Sequence, residues 1–238
     1  MSILILVSVP QEAEAILSAA SGALEGARVV VGGIGRTNAA AATTQAILQR
    51  KGREVKAVLC AGIAGALPAE NPDDQLNIGD CILASSCVYA EEGIITSAGF
   101  AGMDGLGFLL GDFTGNAVPI SEDLLDLIAG GDATVQSADP NHNNSVAMRI
   151  GPIATVATCS GTDPAAAEIV RRTGALAEAM EGAAVVHAAR RLGVPAIELR
   201  AISNTTGERK NQVWDIPRAM KNLGQVVIAA TQRIRQNL

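Results

Sequence analysis

Short apolar runs alternate with helix-patterned stretches along most of the chain, and that alternation leaves few folds open. Runs at 3–9, 28–31, 55–60, 78–88, 148–158, 176–180 and 196–202 have the length and the Val, Ile, Leu and Ala content of covered strands. Between them, 11–20, 37–49, 124–128, 165–172 and 182–191 carry helical spacing, the first opened by Pro10. Such a succession implies a mixed, mainly parallel central sheet flanked by helices. The 238 residues suit one such α/β domain, expected over 1–238, rather than two. Aromatics make up only 2% of the chain, so the core is aliphatic, and 25 glycines allow helices to approach the sheet closely.

The last helix is the most strongly patterned. Asp215 suits its cap and Pro217 its first turn. Ile216, Met220, Leu223, Val227, Ala230 and Ile234 recur at steps of three and four, while Arg218, Lys221, Gln225 and Arg235 fall elsewhere. Two segments read as long loops, 91–115 and 138–145. The first is Gly-rich yet carries Phe100, Met103, Leu106, Phe108 and Phe113, as a loop that folds over a ligand would.

Several function classes drop out. The net charge is −6 and no basic run occurs, which speaks against a nucleic-acid partner. Cys60, Cys81, Cys87 and Cys159 form no Cys-x-x-Cys pair and read as reduced structural thiols; His142 and His187 are far apart, so no metal site is expected. The start MSILILVSVP lacks a cationic leader and is too short to span a bilayer. It reads as a first strand, and a cytoplasmic location is expected.

The richest stretch runs from Ala177 to Lys210. Met180-Glu181 stands where a strand meets a helix, at the crevice where α/β proteins bind ligands. A carboxylate there either holds the cis-diol of a ribose or meets a helix N-terminus, and the residue type does not separate the two. Asn204, after the strand 196–202, offers one acceptor and two donors to a planar base, or simply shapes a turn. Glu12, after the first strand, is either a general base for water or a favourable first-turn acid. Gly33-x-Gly35-x-x-Asn38 lacks the third glycine of a dinucleotide fingerprint and follows the second strand, so no nucleotide cofactor is expected.

Taken in order, Glu12, the Gly33–Gly35 element, Ala61 to Gly65 as a glycine turn, Ile78 to Asp80, Met180-Glu181 and Arg200 to Ser203 resemble the nucleoside phosphorylase and nucleosidase superfamily across nearly the whole chain. Within it the chain most resembles the futalosine hydrolases, through Asn204 where adenine-type nucleosidases carry Asp, through 204–209 and Trp214 to Ile216, and through the insertion at 91–108. The resemblance implies a nucleoside phosphorylase-like fold, no cofactor, a homo-oligomer, and cleavage of futalosine to hypoxanthine and dehypoxanthine futalosine in menaquinone biosynthesis. It implies Glu12 and Asn204 as catalytic, with Met180, Glu181, Ser160, Ile63, Gly62, Arg209, Phe100 and Phe108 around the substrate. Arg209 or Lys210, just past Asn204, either meets the substrate's tail carboxylate or stays solvated. The segment Thr158-Cys159-Ser160-Gly161 lacks the aromatic that related nucleosidases stack on the base.

Water is expected as the nucleophile. Phosphate needs an anion site, yet Ser8-Val9-Pro10-Gln11 lacks a Gly-rich nest with an Arg, and Ile63, which cannot ligate phosphate, stands where phosphorylases, and some nucleosidases, carry a hydroxyl residue. Arg36 and Arg200 are the residues that could still supply one. The alternatives are a methylthioadenosine/adenosylhomocysteine nucleosidase, a purine nucleoside phosphorylase, or a nucleoside-binding regulatory protein without activity.

Overall fold

The computed structural model describes residues 2–237 apart from 21, 23, 50–53, 70, 131–133 and 137–144. His142 and most of the expected loop 138–145 lie outside the described residues. In chain order the elements are β1 (Ser2–Val7), α1 (Pro10–Ala19), β2 (Ala27–Val31), α2 (Arg36–Leu48), β3 (Val55–Ala66), β4 (Cys81–Tyr89), β5 (Gly93–Thr96), β6 (Gly99–Gly102) and α3 (Met103–Leu106). Then come β7 (Ala117–Pro119), α4 (Glu122–Ala129), β8 (Thr134–Gln136), β9 (Ser145–Thr155), α5 (Asp163–Thr173), β10 (Ala177–Ala179), α6 (Gly182–Arg191), β11 (Ala196–Thr205) and α7 (Ile216–Asn237).

The sheet runs β10-β9-β4-β11-β3-β1-β2, with β7 on β4 and β8 on β9. It is the mixed, mainly parallel sheet expected, and it does one thing the sequence did not announce. β10 pairs parallel with β9 and antiparallel with β3, so these five strands close on themselves and β1 and β2 extend the wall. Closure removes the edges that β3 and β9 would otherwise leave unpaired. Two helix pairs, α1 with α7 and α2 with α6, pack on this frame. Gly224 brings α7 close to α1, since a Cβ there would stand 2.7 Å from the Ala15 carbonyl oxygen.

The segment expected as a glycine turn, Ala61 to Gly65, is strand. β3 continues to Ala66 and stays paired with β11 as far as Thr205. The glycines serve neighbouring side chains instead. A Cβ on Gly62 would stand 2.6 Å from Glu12 Oε1 and overlap the Arg200 guanidinium; one on Gly65 would stand 3.1 Å from Asn204 Nδ2. Likewise 91–115 is only partly loop, because β5 and β6 form a hairpin within it, followed by the single turn of α3. The last helix matches its pattern: Asp215 Oδ1 accepts the Arg218 N–H at 3.0 Å, and Leu223, Val227, Ala230 and Ile234 are buried. Ile216, expected on that face, is exposed. Among the described residues no helix is long and apolar enough to cross a membrane.

Candidate active site

One cavity of about 530 Å³ opens where β1, β3, β10 and β11 end, and it gathers most of the residues singled out above. Glu12, Ile63, Ser160, Met180, Glu181, Asn204 and Arg209 all line it. Gly62 lies beneath it, under Glu12 and Arg200. Phe100 and Phe108 do not belong to it. The β5–β6 hairpin carries Phe100 over α5, where the Arg172 guanidinium lies 4.2 Å from its ring centre, beside a separate cavity. Phe108 follows α3 and is 68% exposed. Lys210 is exposed and also off the cavity wall.

Glu12 is buried in the first turn of α1. Its Oε2 accepts the backbone N–H of Ser8 at 2.8 Å and of Val9 at 3.2 Å, the reach-back of a capping box. Its Oε1 accepts the Ile63 N–H at 3.0 Å. A carboxylate offers about four lone-pair positions, so these donors fix its orientation and leave one position toward the cavity.

Glu181 precedes α6. Its Oε1 accepts the Gly35 N–H at 3.0 Å, at the start of α2, and its Oε2 accepts from Arg200 Nη2 at 3.2 Å. The helix-terminus role left open by the sequence is therefore present, on a side chain that also faces the cavity. Arg200 is 1% exposed and also donates from Nε to Glu198 at 2.8 Å. Burial works against its charge, but Cys60, Glu198, Glu181 and Glu12 outweigh that and raise its pKa well above the ordinary guanidinium value. Glu198 is fully buried, which pushes its pKa up against the pull of Arg200. Its carboxylate fits only because α6 begins with Gly182, where a Cβ would overlap it. Arg36, the other candidate anion ligand, pairs with Glu91 at 3.4 Å and with Glu92.

A bulge in β11 between Ile202 and Asn204 inserts Ser203, and both residues then line the cavity. The Ser203 hydroxyl donates to Asn204 Oδ1 at 2.8 Å, and Asn204 Nδ2 donates to the Thr205 carbonyl at 2.9 Å. Each end of the amide is thus oriented with hydrogen-bonding capacity to spare. Opposite stands Glu178, which sequence reasoning missed. It is buried, lines the cavity, and accepts from Ser160 N–H at 2.8 Å and Ser160 Oγ at 2.6 Å. Burial raises its pKa, and the two Ser160 donors oppose that rise. Residues 158–161 bring no aromatic to the cavity, but Trp214 lines it: it bridges to Asn204, and the Arg209 guanidinium lies 4.9 Å from its ring centre.

A family model described as the phosphorylase superfamily matches residues 4–232. A futalosine hydrolase of Streptomyces coelicolor is 34% identical over 206 residues, covering 85% of this chain and 77% of that protein. The chain belongs to the phosphorylase superfamily, in its futalosine hydrolase family. A futalosine hydrolase of Acidothermus cellulolyticus is 37% identical over 174 residues, 72% of this chain, and the match spans only 62% of that protein's length. Among solved structures, native futalosine hydrolase of Helicobacter pylori superposes with a TM-score of 0.73 at 21% identity, covering 100% of this chain and 98% of that one. A 5'-methylthioadenosine/S-adenosylhomocysteine nucleosidase of Neisseria meningitidis, bound to methylthio-immucillin-A, superposes at 0.75 with 17% identity, covering 97% of this chain and 98% of that one. At these identities the two structures speak for the fold.

Proposed function

We propose that this chain hydrolyses the N-ribosidic bond of futalosine, releasing hypoxanthine and dehypoxanthine futalosine, as a step of menaquinone biosynthesis. The observation that carries the proposal is the convergence of Glu12, Glu181 and Asn204, from three distant parts of the chain, on one cavity. Ribosidic cleavage passes through an oxocarbenium-like sugar. Glu12, held by its backbone donors, aligns and deprotonates a water at its remaining lone pair. Glu181 accepts from the ribose hydroxyls. The two carboxylates also favour the positive charge that develops on the sugar. Asn204 turns its NH₂ toward O6 and its oxygen toward a protonated N7 of the departing base, while Trp214 packs nearby.

Water rather than phosphate suits this site. The two arginines that could bind an anion, Arg36 and Arg200, are each held by two carboxylates. A phosphate entering beside Arg200 would meet Glu12 and Glu181 as well. Asn204 favours a 6-oxopurine over the 6-aminopurine of a methylthioadenosine nucleosidase. The enzyme would act in the cytoplasm as a homo-oligomer; Ile95, Phe108 and Leu109, which are 81%, 68% and 65% exposed, give it apolar surface to cover.

The test is product analysis with futalosine, inosine and methylthioadenosine, with and without phosphate. Hypoxanthine from futalosine, with a free anomeric hydroxyl on the sugar and no dependence on phosphate, is expected. A sugar 1-phosphate as main product would make the chain a phosphorylase, and no base release from any of the three would leave it a binding protein.

A further inference from the structure

Glu198 and Arg200 stand two residues apart on β11, so their side chains leave the same face of the strand. Arg200 lines the cavity, whereas Glu198 lies one step deeper and is not part of its wall. The Arg200 guanidinium makes its shortest bond to this deeper residue. Its Nε donates to Glu198 Oε1 at 2.8 Å, against 3.2 Å from Nη2 to Glu181 Oε2, 3.4 Å from Nη1 to the Ile63 carbonyl and 3.5 Å from Nη2 to Cys60 Sγ. A guanidinium is planar, so a fixed Nε also sets the direction of both Nη groups. Glu198 is fully buried and presses on Gly182, the residue after Glu181. Its other polar neighbour is the Cys87 thiol, a weak donor, and its Oε2 has no hydrogen-bond partner among the described residues. A buried carboxylate so poorly satisfied is a poor choice for stability alone.

We propose that Glu198 is a positioning residue for the sugar end of the site: it anchors Arg200 from below, and Arg200 in turn sets the direction in which Glu181 meets the ribose hydroxyls. This rests on the nucleosidase function proposed above and extends its machinery to a residue off the cavity wall. Glu181 depends on such an anchor. Its Oε1 accepts the Gly35 N–H at 3.0 Å, while its Oε2 accepts from the adjacent Met180 N–H at 3.3 Å and from Arg200 Nη2 at 3.2 Å. Without Arg200 in place, Oε2 keeps only the N–H of the residue next to it, and the carboxylate is free to turn about its last bond. The acceptor at Glu198 Oε1 therefore holds Arg200, and Arg200 holds the oxygen of Glu181 that the adjacent backbone holds least well.

The experiment measures kcat/KM for base release from futalosine, its 2'-deoxy counterpart and its 6-amino counterpart, with the parent protein, Glu198→Asp and Glu198→Gln. A 2'-deoxy sugar lacks one hydroxyl for Glu181 and is easier to cleave by itself, so the reading is the change in the futalosine to 2'-deoxy ratio from one protein to another. Aspartate keeps the charge but withdraws the acceptor by one methylene; glutamine keeps an acceptor for Arg200 Nε and loses the charge. In Glu198→Asp the ratio is expected to fall by ~10-fold, the share of one hydrogen bond to a charged group. The 6-oxo to 6-amino ratio is expected to stay within ~2-fold of the parent's, the scatter of independent sites, because base reading by Asn204 does not pass through Arg200. Glu198→Gln is expected to keep a futalosine to 2'-deoxy ratio nearer the parent's than that of Glu198→Asp. An unchanged futalosine to 2'-deoxy ratio in Glu198→Asp, an equal fall in both ratios, or a lower ratio in Glu198→Gln than in Glu198→Asp overturns the role of Glu198 and leaves the nucleosidase function standing. No base from futalosine with the parent removes that function, and this role with it. Should thermal unfolding show Glu198→Asp unfolded, Glu198→Gln decides: the parent's ratio supports anchoring through the acceptor, and a ratio ~10-fold lower overturns it.

Discussion

The Oε1 of Glu12 and the backbone N–H of Ile63 are 3.0 Å apart across 51 residues of sequence. With the Ser8 and Val9 N–H groups on Oε2, the hydrogen bonds to this carboxylate among the described residues all come from backbone N–H groups. Glu12→Gln is therefore isosteric but not electrically silent, because either placement of its NH₂ faces a backbone N–H. Turnover is expected to fall by roughly 10²–10⁴-fold, the usual share of general acid–base catalysis. Stability is expected to fall by about 1–3 kcal/mol from the unmatched donor. Turnover and thermal unfolding measured on one preparation separate the two effects; normal turnover would show the carboxylate to be a helix cap only.

Gly62→Ala probes the same carboxylate from below. The added Cβ would press on Glu12 Oε1 and on the Arg200 guanidinium together. Because a displacement near 1 Å in a catalytic group can cost about 10²-fold, kcat is expected to drop by that order. Full kcat in a folded Gly62→Ala protein would show that neither group needs its present position.

Arg200→Met leaves Glu181 and Glu198 without their shared counter-charge in a buried setting. Breaking such a pair costs about 3–5 kcal/mol, which for a chain of this size lowers Tm by roughly 6–20 °C. A thermal unfolding curve reads this directly, and an unshifted Tm would mean the cluster contributes little to folding.

Asn204→Asp should shift base preference. A carboxylate repels O6 of a 6-oxopurine but, protonated, suits the N7 and amino group of a 6-aminopurine. The kcat/KM ratio of futalosine to its 6-amino counterpart is expected to fall by ~10–100-fold. A ratio equal to that of the parent would show that Asn204 shapes β11 and does not read the base.

Strand and helix periodicity made the α/β frame legible, and the resemblance in chain order singled out Glu12, Met180-Glu181 and Asn204, which the fold brings to one cavity. What stayed hidden has physical causes. Glycine signals both turns and close approach, so Gly62 and Gly65 read as a turn when they are strand positions cleared for Glu12, Arg200 and Asn204. Glu178 sits in a three-residue strand whose pairing with β3 is a tertiary event, and nothing local marks it. Phe100 carried the right chemistry for a substrate wall, but the β5–β6 pairing and the stacking on Arg172 place it elsewhere. Trp214 was noted only as part of a family-like tail; its approach to Asn204 depends on how the chain returns after β11.

The fit of Glu198 against Gly182 is one-directional, and that sets an order on permissible change. Glycine at 182 tolerates any smaller residue at 198, whereas a glutamate at 198 in this rotamer excludes every side chain at 182. A lineage or a mutant library can therefore give up Glu198 first and diversify 182 afterwards, but the reverse path passes through a clash inside the arginine cluster. In a saturation library of both positions, survivors retaining Glu198 should be almost uniformly glycine at 182, while survivors without it should be mixed.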